Sequence, residues 1–149
     1  MDQLLKNVTV VLSLMAAIYG GLSLIPFGPP ALSVTAGEQS VSAARGSFCW
    51  EGYISSKCED TLSPPELVKV HNLKPIVVSP GEEVNIAFKK VPLTDTVGVS
   101  RWVSEIDAKA ASLNGNILIA PLEKGVYIYS IYGSWEKGSS GYAFVIEVK

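Results

Sequence analysis

The sequence predicts an all-β domain, an antiparallel sandwich carried behind one N-terminal hydrophobic helix. Three observations carry that expectation: turn-forming residues recur at short intervals from residue 43 onward, brief runs of β-branched and aromatic residues lie between them, and an uncharged apolar stretch opens the chain.

From residue 8 to residue 27 no side chain is charged, and Val10, Val11, Leu12, Leu14, Met15, Ile18, Leu22, Leu24 and Ile25 leave no polar face. A bilayer core takes about 20 such residues, whereas the apolar part of a removed export signal runs to about 7 to 15, so the stretch has the length of a retained anchor. A removed signal is the competing reading. Val34-Thr35-Ala36 offers small residues for a cut after Ala36, and Pro29-Pro30 ends the helix before it. Both readings stay open at the level of sequence. Residues 1–27 are therefore a signal peptide or signal anchor. Residues 28–42, rich in Pro, Gly, Ser and Ala, read as an aperiodic linker, and residues 43–149 as the folded domain. Only Lys6 and the terminal amine precede the run as positive charges, with Asp2 offsetting one, so the positive-inside rule orients it weakly. Export of the folded domain is expected, to a secreted or membrane-anchored location outside the cytoplasm.

Cys49 and Cys58 are the only cysteines. An even count behind an apolar leader reads as a disulfide, and the spacing differs from the Cys-x-x-Cys of zinc or redox sites.

The clearest strand-like runs cover residues 76–79, 84–88, 97–106, 116–120, 126–132 and 142–148. Val84, Ile86 and Phe88 alternate with Asn85, Ala87 and Lys89; Tyr142, Phe144, Ile146 and Val148 alternate with Ala143, Val145, Glu147 and Lys149. Each pattern puts one strand face in a core. Residues 104–113 are the one place a helical turn is expected, since Ile106, Ala110 and Leu113 share a helical face. Residues 134–141, polar and glycine-rich, read as the loop of a final hairpin.

Glu123-Lys124-Gly125-Val126-Tyr127-Ile128-Tyr129 resembles the acidic-x-Gly-x-Tyr-x-Cys segment of immunoglobulin-type sandwiches. The resemblance implies an immunoglobulin-like antiparallel β-sandwich with Tyr127 as its structural corner. Tyr129 stands where the inter-sheet cysteine would be, so aromatic packing must replace that bridge. A wider likeness rests on Phe48-Cys49-Trp50 with Cys58-Glu59-Asp60, on Pro64-Pro65-Glu66-Leu67-Val68 with Val78-Ser79-Pro80-Gly81-Glu82, and on Gly125-Val126-Tyr127 with Trp135 and the last strand. Together these look like a group of small secreted or lipid-anchored proteins of Gram-positive bacteria with no assigned activity. That likeness implies an envelope location. Its lipid-anchored members carry a cysteine just after the leader, which this chain lacks before Cys49, so lipidation is not expected.

Charged residues make up 17% of the chain against 48% hydrophobic, a globular rather than disordered balance. Twelve basic residues oppose fourteen acidic ones with the lysines scattered, so no stripe tracks a phosphate backbone and nucleic acid is not an expected partner. His71 is the only histidine, and no serine sits in Gly-x-Ser-x-Gly, so neither a triad nor a multi-histidine metal site is expected. No cofactor is implied. The acid pairs Glu82/Glu83, Glu59/Asp60 and Glu105/Asp107 leave a carboxylate-dependent glycan hydrolase as a remote alternative.

Tryptophan and tyrosine are enriched at binding hot spots. Trp50 and Tyr53 lie within the presumed disulfide loop and Trp135 begins the last hairpin loop, so these three form the candidate partner surface. The expected function is a non-enzymatic, monomeric binding or structural module of the bacterial envelope, holding a protein or cell-wall component; inhibition of an exported protease is the alternative.

Overall fold

The computed structural model describes residues 2–23, 27–52 and 54–149. Helix α1 (Asp2–Ser23) is exposed from Gln3 to Gly21, with Leu12 and Ile18 each 61% exposed. Over Gln3–Gly21 its mean hydropathy is 1.5, enough in length and composition to cross a membrane. Its hydroxyls are satisfied locally: Thr9 Oγ1 donates to the Leu5 carbonyl and Ser13 Oγ to the Thr9 carbonyl, each at 2.9 Å. That backbonding leaves little polarity to solvate.

The rest of the chain is mostly strand, in two sheets. One runs in the order β2 (Gln39–Ser42), β1 (Leu32–Ala36), β6 (Glu83–Phe88), β9 (Ile117–Ile119). The other runs β4 (Ser56–Glu59), β3 (Ala44–Glu51), β11 (Gly138–Val148), β10 (Gly125–Trp135), β7 (Gly98–Trp102), β8 (Ala108–Ala111). All these neighbours are antiparallel. The exception is β5 (Ile76–Val78), which pairs in parallel with the end of β11 beyond the reach of β3. One core joins the sheets. Leu32, Val34, Val84 and Ile86 from the first cluster with Tyr129, Ile131, Tyr142, Phe144 and Ile146 from the second. Phe88 sits edge-on to both Trp135 and Tyr142, at centroid distances of 5.3 and 5.7 Å.

The alternation read in 84–88 and 142–148 does place the core residues. The opposite face of β11 is nonetheless buried too: Ala143 and Val145 are 0% and 3% exposed. Their cover is helix α2 (Pro64–Val70), which packs on β11, β10 and β3. The helix starts where Ser63 donates to the Glu66 carboxylate through both its backbone N–H (3.1 Å) and its hydroxyl (2.7 Å), ahead of two prolines suited to a first turn. Those hydrogen bonds hold the Glu66 carboxyl below its ordinary pKa.

Three expectations are corrected here. Residues 28–42 are not a linker throughout: β1 lies between β2 and β6, with Leu32, Val34 and Ala36 buried in alternation with Ser33 and Thr35. A cut after Ala36 would remove that strand. Residues 104–113 hold no helical turn. Ser104 Oγ accepts from the backbone N–H groups of Ile106 and Asp107, closing a turn that returns the chain as β8, and Ile106 is 94% exposed. The last hairpin loop shrinks from 134–141 to Glu136-Lys137, because β10 and β11 stay paired out to Trp135 opposite Gly138. Gly138 takes the positive φ of that turn, +140°, where an added Cβ would stand 2.0 Å from the Cys49 carbonyl oxygen.

Cys49 and Cys58 form a disulfide, directly opposite each other in the β3–β4 ladder with Cα atoms 4.0 Å apart. Closing so short a loop stabilises by roughly 2.5 kcal/mol on a chain-entropy estimate. Reduction should therefore lower the free energy of unfolding by about that much in paired urea titrations; coincident curves would mean that the ladder alone holds the hairpin.

Candidate functional site

The expected partner surface does not survive as a solvent-facing patch. Trp50 and Trp135 are indeed brought together, edge to face with centroids 5.8 Å apart, but inside the core, 6% and 4% exposed. Trp135 Nε1 donates to the Lys90 carbonyl at 2.9 Å, which satisfies its one polar group. The physical reason is the tight final turn: with a two-residue connection, Trp135 remains a strand residue and its inward position is fixed by pairing. Tyr53 lies outside the described residues.

The Tyr127 hydroxyl donates to the Glu123 carbonyl, four residues upstream, at 2.8 Å, and the Arg101 guanidinium lies 5.6 Å from its ring centroid. Tyr129 is 3% exposed and stacks on Phe144 at a centroid distance of 5.5 Å. Burial pushes the pKa of Tyr129 and Tyr142 up. The Tyr142 hydroxyl also donates to the Pro30 carbonyl, tying the segment ahead of β1 to the last strand.

One member of each acid pair is engaged by another group of the chain. Glu82 accepts from the Ser79 N–H at 2.7 Å, Glu105 pairs with Lys69, and Glu59 pairs with Lys57 at 2.6 Å.

Two clefts flank α2, separated by a ridge of Leu62 and Leu67. The larger, about 690 Å³, opens between the helix and the disulfide hairpin. Arg45, Lys57, Glu59, Asp60, Thr61 and His71 supply its polar lining, and Phe48 its aromatic one. The Arg45 guanidinium and the Lys57 ammonium stand 5.6 and 5.8 Å from the Phe48 ring centroid, a geometry in which both cations contact the ring and carry polar groups into the cleft. The second cleft, about 540 Å³, lies over the outer face of the larger sheet. Its depth comes from small side chains in register: Ala110 pairs with Ser100, Ser100 with Ser130, and Gly98 lies opposite Tyr132. Trp102 borders this row and donates from Nε1 to Ser130 Oγ at 2.9 Å.

Local sequence signals point to neither cleft. The residues that make them come from separate strands, and only the pairing register shows that Ser100, Ala110 and Ser130 form one row. His71, in sequence an isolated loop residue, caps the C-terminus of α2 and lines the larger cleft.

No protein-family model, curated protein or solved structure matches the chain.

Proposed function

We propose that this chain is a non-enzymatic, extracytoplasmic module of the bacterial envelope, an immunoglobulin-like sandwich held at the membrane by α1, that binds a protein or cell-wall component in the clefts beside α2. The observation that carries the binding role is the larger cleft, where Arg45, Lys57, Asp60 and His71 surround an aromatic floor. Pockets that fix a ligand combine apolar walls with a few convergent polar groups. Both charge signs are present, which suits a ligand bearing carboxylate and amine or hydroxyl groups, as peptides and glycopeptides do.

Location is supported by two features of one chain. A disulfide persists in oxidising compartments, and α1 is apolar enough to cross a bilayer. The Tyr127 to Glu123 hydrogen bond supports the immunoglobulin-like kinship, since that corner is a mark of such sandwiches.

Photo-crosslinking in intact cells tests the binding role. A benzophenone side chain at Thr61, in the larger cleft, should give a discrete crosslinked adduct, and Lys57→Glu should reduce its yield at least five-fold; the same probe at Val126, 65% exposed and on β10 away from the clefts, serves as reference. Equal yields at Thr61 and Val126 would remove the clefts as the binding site. Protease added to protoplasts tests the location independently: a sandwich that stays intact until the cells are lysed is not outside them.

A further inference from the structure

The anchor and the sandwich are joined by very little chain. Ser23 ends α1, and Phe27 is already held against the domain, because a Cβ built on Gly52 would fall 2.4 Å from its ring. Four Cα steps separate Ser23 from Phe27, a reach of at most about 15 Å at 3.8 Å per step. A 22-residue helix is about 33 Å long, close to the thickness of a bilayer's hydrocarbon core at about 30 Å, with a headgroup layer roughly 5 to 8 Å deep beyond it. Gly52 is thus confined to the neighbourhood of the membrane surface.

Gly52 belongs to one defined end of the sandwich. Its N–H donates to the Ser55 carbonyl in the β3–β4 turn, and the neighbouring Glu51 N–H donates to the Lys137 carbonyl in the β10–β11 turn. Lys90, Val91 and Leu93 line a small cleft together with Trp135 and Glu136 at that same turn, and the Leu93 N–H donates to the Ser134 carbonyl. This end carries exposed apolar side chains: Ile54 is 90% exposed, Val91 83%, Phe27 52% and Leu93 45%. Exposure alone does not select it, since Leu122 at the far end is 78% exposed. The short tether does. At this end Lys89, Lys90 and Lys137 stand against Glu51, Asp95 and Glu136, so apolar insertion rather than net charge would carry a lipid contact.

We propose that, in the anchored chain, Gly52, Ile54 and Ser55 between β3 and β4 and the loop over residues 89–93 rest on the bilayer that α1 crosses, with Ile54 and Val91 entering its headgroup layer. This rests on the reading of α1 as a retained anchor. It fixes the orientation of the domain: the β5–β6 turn and Leu122 point away from the membrane, and the clefts beside α2 open to the side.

The test uses the full-length, disulfide-bonded chain in vesicles of phosphatidylcholine and phosphatidylglycerol. A bimane fluorophore is attached at Ile54→Cys, Val91→Cys or Leu122→Cys, and headgroup-nitroxide lipid is added as quencher. Quenching at 54 and 91 should exceed that at 122 by at least three-fold, and by a similar factor when phosphatidylglycerol is omitted. Equal quenching at all three positions, in protein that floats with the vesicles, overturns the docked orientation and leaves the anchor standing. Protein that fails to float with vesicles overturns the anchor itself, and the docked orientation with it.

Discussion

A chain that starts at Gly37 is expected not to fold, whereas one that starts at Phe27 retains the whole sandwich. The difference is β1, which pairs with β2 on one side and β6 on the other and buries Leu32, Val34 and Ala36 to 3%, 0% and 4% exposure. Burial of one valine or leucine side chain stabilises by about 1.5 to 3 kcal/mol, and small domains retain only about 5 to 15 kcal/mol in total. Removal of β1 forfeits those side chains and strands β2, whose only ladder among the described residues is to β1. It also leaves β6 as an open edge and takes away the Pro30 carbonyl that receives the Tyr142 hydroxyl. The summed loss is comparable to the stability of an entire domain. Circular dichroism melts of the two chains decide the matter: a cooperative transition for residues 37–149, within a few degrees of that for residues 27–149, would show that β1 is dispensable. The same experiment bears on processing, because a domain that requires β1 cannot emerge from a cut after Ala36.

How much of this fold is legible in the sequence depends on the range of the interactions involved. Strands with large alternating side chains are legible, because a period of two repeated over Val84, Ile86 and Phe88 is a local property. The disulfide is legible because two cysteines close together behind an apolar leader have few other roles. β1 carries the same alternation in Leu32, Val34 and Ala36, but prolines and glycines on both sides give the segment the composition of a tether. Helix α2 has a capping box in Ser63 and Glu66 and prolines placed for a first turn, local signals that the Pro-Pro break masks. The clefts are beyond local reading altogether. Their small side chains meet only through the register of β7, β8 and β10, and their ridge is a helix whose position depends on the outward burial of Ala143 and Val145. Tyr127 stands between these cases. The hydrogen bond from its hydroxyl to the Glu123 carbonyl spans four residues, so a short motif is enough to locate it.

Trp135→Ala should cost about 3 to 5 kcal/mol of folding free energy, the range for truncating a buried tryptophan. The ring contacts Trp50 and Phe88 edge to face at 5.8 and 5.3 Å, and Gly133 lies beneath it, where an added Cβ would stand 3.2 Å from Cη2. No neighbour is placed to fill the space, since Trp50 and Phe88 are themselves fixed by strand pairing. Trp135→Phe keeps an aromatic ring and loses the N–H that reaches the Lys90 carbonyl, so its cost should be smaller, about 1 to 2 kcal/mol with the hydrogen bond and the lost ring volume together. Ile54→Ala, at a side chain 90% exposed, should stay within about 0.5 kcal/mol of wild type. Urea titrations of the four proteins give the ordering. Had Trp135 been a partner-binding residue on an open loop, the ordering would differ in kind: its truncation would leave the unfolding midpoint in place and diminish only capture of the partner. An unchanged midpoint for Trp135→Ala would therefore restore the loop-surface reading, whereas a large shift shows that Trp135 acts by packing against Phe88 of the facing sheet rather than by meeting another molecule.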